Sequence, residues 1–316
     1  MSPVCPGSST RICCGSIFWS PACRTTNFCA ASAQPEQTMA ELAGVYAASH
    51  GPLIIRKWRS VTPGHQQALG SAFAELGRRI NAARIDALVI ISPDHWVNFF
   101  IDNLPTICIG VGDTHGGPNE PWMMEEFPHR TLPGHPQLAR HILDTALESG
   151  FEPSVSHRMI LDHGFCIPLL KAGIAPLPIV PIVFNDIEPP FPTVARCYAW
   201  GEMLARAIVS MPGDMRVGVL GSGGLSHSVG EATMGLIEEE FDRECLAHFQ
   251  RGDPAGLCAF LSQRLPLVGN GASEIRNWVA AHGVAGGRGF ELIGYSAVPE
   301  VIVGCGFAAW NLGTHG

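Results

Sequence analysis

Four histidines stand where predicted strands give way to loops, each beside Gly, Pro, Ser or Asp. They are His50, His95, His163 and His227. Ligands of open α/β sheets bind in the loops at the carboxyl ends of strands, so these four side chains face one region. Neutral imidazole binds divalent metals and also transfers protons near neutral pH. A single histidine of this kind is more often structural, but four at equivalent positions indicate a metal or proton-transfer site.

One carboxylate is a further candidate ligand. Glu274 begins a short predicted helix, 273–281, after the sequence Gly-Asn-Gly-Ala-Ser. The helix dipole stabilises an acidic residue in the first turn, so position alone gives Glu274 an ordinary structural role. Combined with histidines, a carboxylate would complete a site suited to a borderline divalent ion.

The motifs of several other protein classes are absent from the sequence. It contains no H-E-x-x-H, which excludes a zincin, and no G-x-S-x-G, which excludes the α/β-hydrolase elbow. It has no G-x-x-x-x-G-K-[ST], and the glycine-rich stretch 221–224 lacks the spacing of a dinucleotide cradle. No C-x-x-C pair occurs, so zinc-ribbon and thioredoxin-like sites are excluded as well.

Short apolar runs alternate with helical patterns from residue 39 onward. The predicted strands cover 42–47, 87–92, 106–111, 154–160, 177–184 and 216–220. The predicted helices cover 66–83, 136–148, 194–209, 232–249 and 273–281. This alternation predicts a single α/β domain, with a central mostly parallel or mixed sheet and helices on both faces.

Composition narrows the functional class. The 316 residues include 20 Lys and Arg against 28 Asp and Glu, which gives a net charge of −8. The acidic balance argues against a nucleic acid partner. No apolar run approaches the roughly 20 residues of a membrane-spanning helix, so we expect no membrane partner. The six cysteines after residue 100 are scattered singly, which is typical of buried thiols in a reducing compartment, and we expect a cytoplasmic protein.

Residues 1–38 differ in composition from the rest of the chain. They are rich in Ser, Thr, Cys and Pro and carry no acidic residue before Glu36. They also lack the apolar segment of a secretory signal. Two interpretations are open: a transit-type targeting segment, or an upstream extension with Met39 as the natural start, which we favour. In either case we expect 1–38 to be a non-core extension and 39–316 to be the catalytic domain.

Six stretches, in this order, resemble class III extradiol ring-cleavage dioxygenases, the group of the protocatechuate 4,5-dioxygenase β subunit and of 2,3-dihydroxyphenylpropionate 1,2-dioxygenase. They are SHGP (49–52), SPDHWVNFF (92–100), PTICIGVG (105–112), DHGF (162–165), GSGGLSHS (221–228) and SEIRNWVA (273–280). Both their order and their polar residues agree with the family. The resemblance implies Fe(II)-dependent extradiol (meta) cleavage of a catechol-type ring, with O2 as co-substrate.

Carried over position by position, the resemblance implies that His50, His95 and Glu274 bind Fe(II). Two histidines and one carboxylate are the donor set of many non-haem iron oxygenases. His163 and His227 match the catalytic histidines. We assign His163 to proton delivery during ring cleavage, and His227 to dioxygen activation and stabilisation of developing charge. The sequence leaves these two roles exchangeable.

The substrate is less defined. Stretches 134–142 and 196–212 resemble the protocatechuate-type subunit, which implies a carboxylated or methoxylated catechol such as protocatechuate or a gallate derivative. Arg130 and Arg158 are candidate partners for a carboxylate, and His115 is read as a loop histidine near the substrate. Surface charge or structural ion pairs would explain the two arginines equally well.

Two alternative functions and two assemblies stay open. The alternatives are ring cleavage of a 2-aminophenol, and a metal-containing binding protein of the same superfamily without catalysis. Protocatechuate-type enzymes use a small α subunit that covers the active site, and nothing after Glu274 resembles such a subunit. We therefore expect either a homo-oligomer or a complex with a separate α-type subunit.

Overall fold

The computed structural model describes residues 38–313. The predicted extension, 1–38, lies almost wholly outside the described residues and stays a prediction. The strands are β1 (Glu41–Ala48), β2 (Ala87–Ser92), β3 (Ile107–Gly110), β4 (Thr114–Gly117), β5 (Arg130–Pro133), β6 (Ser154–Ser156), β7 (Ile179–Phe184), β8 (Arg216–Ser222), β9 (Phe290–Val298) and β10 (Val303–Trp310). The helices are α1 (Leu53–Arg56), α2 (Pro63–Ala82), α3 (Pro121–Met124), α4 (Pro136–Glu148), α5 (His163–Lys171), α6 (Val194–Val209), α7 (Glu239–Arg251), α8 (Pro254–Arg264) and α9 (Ile275–Val284). Short 3₁₀ turns include Asn270–Glu274 and Pro299–Val301.

One mixed sheet of eight strands organises the described residues, in the order β6-β3-β7-β2-β8-β1-β10-β9. The central strands β7, β2, β8 and β1 are parallel. β10 joins β1 antiparallel at one side, and β3 joins β7 antiparallel at the other. β4 and β5 form a separate ribbon. The prediction of a single α/β domain with a mixed sheet is confirmed.

Strand β2 shows why helices cover both faces of the sheet. All six of its residues are buried. Ala87, Val89 and Ile91 pack into a core shared with α4, α6 and α9. Leu88 and Ile90 pack into a second core, shared with α2 and α5. Because successive side chains of a strand point to opposite faces, a continuous apolar run requires an apolar layer on each side.

The structure differs from the predicted elements at several places. The predicted helix 232–249 begins only at Glu239, and Gly252, with φ 65°, ends it in the left-handed conformation. The predicted strand 154–160 ends at Ser156. His163 therefore does not follow a strand but is the first residue of α5, where the Asp162 side chain caps the helix. Elements α1, α3, α5, α8, β4, β5, β9 and β10 are absent from the prediction. No helix within 38–313 combines the length and apolarity needed to cross a membrane.

Close packing of α6 against α9 depends on a glycine. A Cβ added at Gly201 would lie 2.0 Å from the carbonyl oxygen of Ala280. We expect Gly201→Ala to lower the free energy of unfolding by about 1–3 kcal/mol, because the overpacked helices must shift. Gly70→Ala on α2 is the control. Its added Cβ meets nothing within 4 Å, so helix propensity predicts a gain of up to ~1 kcal/mol. Urea unfolding measures both variants, and equal midpoints would contradict the packing argument.

A buried carboxylate without a partner follows β7. Asp186 is 1% exposed, and within the described residues neither of its oxygens has a hydrogen bond. Burial raises the pKa of Asp186 to about 7, against the opposing charge of Arg276. Asn277 lies beside it, and the amide oxygen of Asn277 also lacks a partner. An amide at position 186 would therefore supply a donor where the carboxylate has none.

We expect Asp186→Asn to stabilise the metal-free protein in a pH-dependent way. The folded wild type keeps the Asp186 proton up to about pH 7, whereas the unfolded chain loses it near pH 4. Between these values the folded state binds more protons, so this group's contribution to stability falls as pH rises. The advantage of the variant should grow from pH 4 to 7 and reach about 1–3 kcal/mol above pH 7. Chemical unfolding with a chelator at pH 5 and 8 measures it, and a pH-independent difference would contradict it.

Candidate metal centre

His50 follows β1 and points one ring nitrogen at Glu274. Its Nδ1 lies 2.9 Å from the hydroxyl oxygen of Ser222. That hydroxyl donates to the carbonyl of Gly164, so it accepts the Nδ1–H of His50. The Nε2 atom is buried without a hydrogen bond, 3.4 Å from Oε2 of Glu274. With Nδ1–H donated to Ser222, the neutral tautomer of His50 is the one whose Nε2 can bind a metal.

His95 follows β2 and is held by a buried carboxylate. Oδ2 of Asp162 accepts from both the backbone N–H of His95, at 2.7 Å, and its Nδ1, at 2.9 Å. Burial disfavours the charged ring, but the charges of Asp162 and Glu274 outweigh it and raise the pKa of His95 to about 10. The Nε2 atom lies 3.5 Å from Oε1 of Glu274. A carboxylate on the outer nitrogen of a histidine is the usual support of a metal ligand.

His163, at the start of α5, is oriented by Glu120. Oε1 of Glu120 accepts from the backbone N–H of His163 at 2.8 Å and from its Nδ1 at 2.7 Å. Burial and the neighbouring His95 lower the pKa of His163 to about 4. Its ring lies 3.9 Å from the ring of His95, centroid to centroid. A neutral His163 that donates Nδ1–H to Glu120 carries a lone pair on Nε2.

His227 enters the same cluster from the loop after β8. Its Nδ1 donates to the carbonyl of Leu225 at 2.9 Å, and its Nε2 lies 3.6 Å from Oε1 of Glu274. Asp242 holds this loop in place, because its carboxylate accepts hydrogen bonds from both the backbone N–H and the hydroxyl of Ser226. A Cβ at Gly271 would lie 2.2 Å from Nε2 of His227, so only glycine leaves room for the ring.

Glu274 is the common neighbour of three of these rings. It ends the 3₁₀ turn that precedes α9 and is 4% exposed. Burial alone would raise the pKa of Glu274, but His50 and His227 hold it well below its usual value. Oε2 also accepts the backbone N–H of Gly224 at 2.6 Å. The glycine-rich turn after β8 thus orients the carboxylate directly.

The structure brings all five predicted site residues together, and two sets of three among them fit a metal ion. Both sets contain His50 and His95. In one the third member is His163, since the three histidines offer ring nitrogens within 4.8 Å of one another. In the other it is Glu274, whose Oε2 lies 3.4 Å from Nε2 of His50 and whose Oε1 lies 3.5 Å from Nε2 of His95. Both sets bring three donor atoms to one buried place.

A cavity of about 500 Å³ opens onto the cluster. Its size is typical of sites for small organic ligands. The charged residues that line it outside the cluster are Arg56, Asp186 and Glu188. Apolar side chains supply most of the remaining wall: Leu53, Trp96, Ile187, Val229, Met234, Val301, Ile302 and Val303. The arrangement suits an aromatic ring whose polar edge meets the histidines.

Three residues expected near the substrate do not line this cavity. His115 is not a loop residue but a buried member of β4. Arg130, on β5, lines a separate cavity beside Leu169 and Leu170 of α5. Arg158 is exposed after the short strand β6. The β4–β5 ribbon places His115 and Arg130 away from this cavity, and Arg158 lies beyond the early end of β6.

Sequence reasoning missed the residues that hold the histidines in place. Asp162 and Ser222 lie inside two of the motif stretches, and a search for partners of each histidine would have considered them. Glu120 is 43 residues from His163 in the sequence and carries no local signal. Arg56 lies six residues after His50, and no spacing rule marks it.

Similarity to known proteins extends over most of the chain. A 2,3-dihydroxyphenylpropionate/2,3-dihydroxicinnamic acid 1,2-dioxygenase of Paraburkholderia phymatum is 28% identical over 291 residues, covering 74% of this chain and 89% of that protein. A protein of the same name from Escherichia coli K12 is 33% identical over 187 residues, covering 58% and 56%. The solved structure of an uncharacterized protein from Escherichia coli K12 covers 84% of this chain and 100% of its own, with a TM-score of 0.58 and 15% identity, and shows the shared fold.

The family described as the catalytic LigB subunit of aromatic ring-opening dioxygenase matches residues 44–306. This range contains all four histidines, Glu274 and every strand of the main sheet except the ends of β1 and β10. The chain therefore belongs to the LigB family and is a metal-dependent aromatic ring-opening dioxygenase of the extradiol type.

Proposed function

We propose that the protein cleaves a carboxylated catechol by Fe(II)-dependent extradiol chemistry with O2. The observation that carries the proposal is the convergence of imidazole nitrogens on one buried carboxylate, Glu274, at 3.4–3.6 Å. In each ring the outer nitrogen is occupied by a hydrogen bond. The inner nitrogens therefore face Glu274, where a metal ion can take the place of their protons.

His50, His95 and Glu274 are proposed to hold the ion. Their donors are two imidazoles and one carboxylate, the set associated with ferrous oxygenases that need open coordination positions. The unpartnered Nε2 of His50 supports this, because a buried acceptor without a donor is costly unless a cation binds it. Ferrous iron bound there would supply the route by which electrons pass from a chelated catechol to dioxygen.

His163 is proposed as the proton-transfer group. Its low pKa keeps it neutral, so it can accept a proton from a catechol hydroxyl as the substrate binds. Glu120 on the outer nitrogen then stabilises the imidazolium, and the proton is available for delivery to the opened ring. His227 faces the same space, fixed by the Leu225 carbonyl, and is proposed to stabilise negative charge that develops near dioxygen.

The carboxylated substrate is proposed from the cavity and from the relatives. Two relatives carry the name of an enzyme for 2,3-dihydroxyphenylpropionate, an aromatic carboxylate. The cavity wall is mainly apolar and has room for a ring with a substituent. A methoxylated catechol, or a shorter acid such as protocatechuate or a gallate derivative, is the next candidate within the same class.

An assembly is proposed from exposed apolar side chains, two of which line the cavity. Phe100 and Ile101 are 53% and 76% exposed, and Val229 and Met234 of the cavity wall are 54% and 57% exposed. Large apolar side chains with this much exposure are common where another chain covers the surface. We expect a homo-oligomer or a separate small subunit to cover them.

The described cysteines are free, which fits our expectation of a cytoplasmic enzyme.

The ligand assignment predicts two classes of variant. His50→Ala, His95→Ala and Glu274→Ala should lose both bound iron and turnover. His163→Ala and His227→Ala should keep iron and lower kcat by about 10²–10⁴, the range for a lost general acid or base. Iron per chain is measured by mass spectrometry of the anaerobically loaded protein. If His163→Ala lost iron while Glu274→Ala kept it, the three-histidine set would be the correct one.

The reaction class predicts a coloured product. With Fe(II) in air, a carboxylated catechol should give the yellow absorbance of an extradiol product, with consumption of one O2 per ring. The matched 2-aminophenol, with one ring hydroxyl replaced by an amine, should react more slowly. Absorbance and an oxygen electrode measure both rates. Faster turnover of the aminophenol would favour that alternative, and binding without oxygen uptake would favour a non-catalytic protein.

A further inference from the structure

The wall of the cavity carries one cationic side chain besides the histidines, within residues 38–313. That residue is Arg56, which is exposed and therefore lies where the cavity meets solvent. Besides the buried Asp186 and Glu274, the cavity wall contains one acidic residue, Glu188, which is half-buried. A substituent that projects from a ring in the cavity would thus meet one positive and one negative group.

Arg56 lies close to the proposed catalytic cluster. Its guanidinium carbon is 5.9 Å from the centroid of the Trp122 ring, and that indole is 5.6 Å from the ring of His163. The guanidinium and the ring of His163 therefore both lie beside the same indole. Among the described residues no carboxylate oxygen lies within 4.0 Å of it, so its five donors are available to a ligand.

The backbone fixes Arg56 relative to the metal centre. It is the last residue of α1, a single helical turn that begins three residues after His50. Ile54 and Ile55 of this turn are buried in the core. A Cβ at Gly51 would lie 3.1 Å from Val303, so the link packs tightly against the cavity wall. The packing of this segment therefore fixes the distance between His50 and the backbone of Arg56.

We propose that Arg56 determines substrate specificity by binding the carboxylate of a side chain on the catechol ring. The inference rests on the proposed function for the position of the ring. With the ring hydroxyls at the histidines, the side chain lies along the apolar wall beside Leu53 and Trp96, and its carboxylate reaches the guanidinium. Guanidinium binds carboxylate through two parallel hydrogen bonds, which a neutral ester or alcohol cannot reproduce. Glu188 acts in the opposite sense, since it repels an anionic side chain.

Kinetics on a matched acid and ester test the proposal. The substrates are 3-(2,3-dihydroxyphenyl)propionate and its methyl ester, and the readout is the ratio of their kcat/KM values. Arg56→Gln should lower the acid-to-ester ratio about 10- to 100-fold, chiefly through KM of the acid, as expected for loss of hydrogen bonds to a charged group. Arg56→Lys should lower it less, and Glu188→Gln should raise it. Arg59→Gln removes an equal charge from an exposed neighbour that does not line the cavity, and should leave the ratio unchanged.

Ligands that lack the ring hydroxyls test the role of Arg56 independently of the proposed reaction. Calorimetry on the intact protein would compare 3-phenylpropionate with 3-phenylpropanol. Wild type should bind the acid more tightly, and Arg56→Gln should remove that preference. If this holds while no catechol is cleaved, Arg56 is upheld and the proposed reaction fails. If Arg56→Gln weakens acid and neutral ligand equally, in binding or in kinetics, the specificity proposal is overturned.

Discussion

The site depends on the hydrogen bonds that occupy the outer nitrogens of its histidines. A buried imidazole has two tautomers, and only the one protonated on Nδ1 leaves a lone pair on Nε2 for a metal or a substrate proton. Here the outer partners are Ser222, Asp162, Glu120 and the carbonyl of Leu225. They come from three different segments of the chain: the start of α3, the start of α5, and the end of β8 with the loop after it. The tautomer of each ring, and hence the chemistry, is therefore a property of the assembled fold.

The same constraint explains why a carboxylate is stable at the centre of the cluster. Burying Glu274 is costly, and the cost is offset only by positive charge and donors on every side. The backbone N–H of Gly224 supplies one donor, and the histidines supply positive charge when protonated. A divalent cation held there would replace those protons and preserve the attraction. The surroundings of Glu274 thus favour a bound cation before any substrate arrives.

Sequence patterns predicted the framework well where one physical signal dominated. The fully buried strand β2 and the amphipathic helices α4 and α6 begin and end at the predicted residues. The patterns failed where tertiary contacts decide. Helix α5 is apolar throughout its middle and shows no amphipathic period, so its sequence resembles a buried strand. Glu120 joins His163 only because the fold brings the start of α3 to the start of α5.

Reaction and specificity are encoded in different parts of this fold. The proposed proton-transfer and ligand residues follow β1, β2 and β8, begin α5 or directly precede α9, and the parallel core of the sheet fixes these positions. The walls that meet a ring substituent come from α1, from the irregular segment that contains Val229 and Met234, and from the turn before β10. Irregular segments tolerate changes that a packed sheet does not. The proposed ligand residues and the walls that meet a ring substituent can therefore vary independently, and we propose that Arg56, where the cavity meets solvent, favours a substituent that carries a carboxylate.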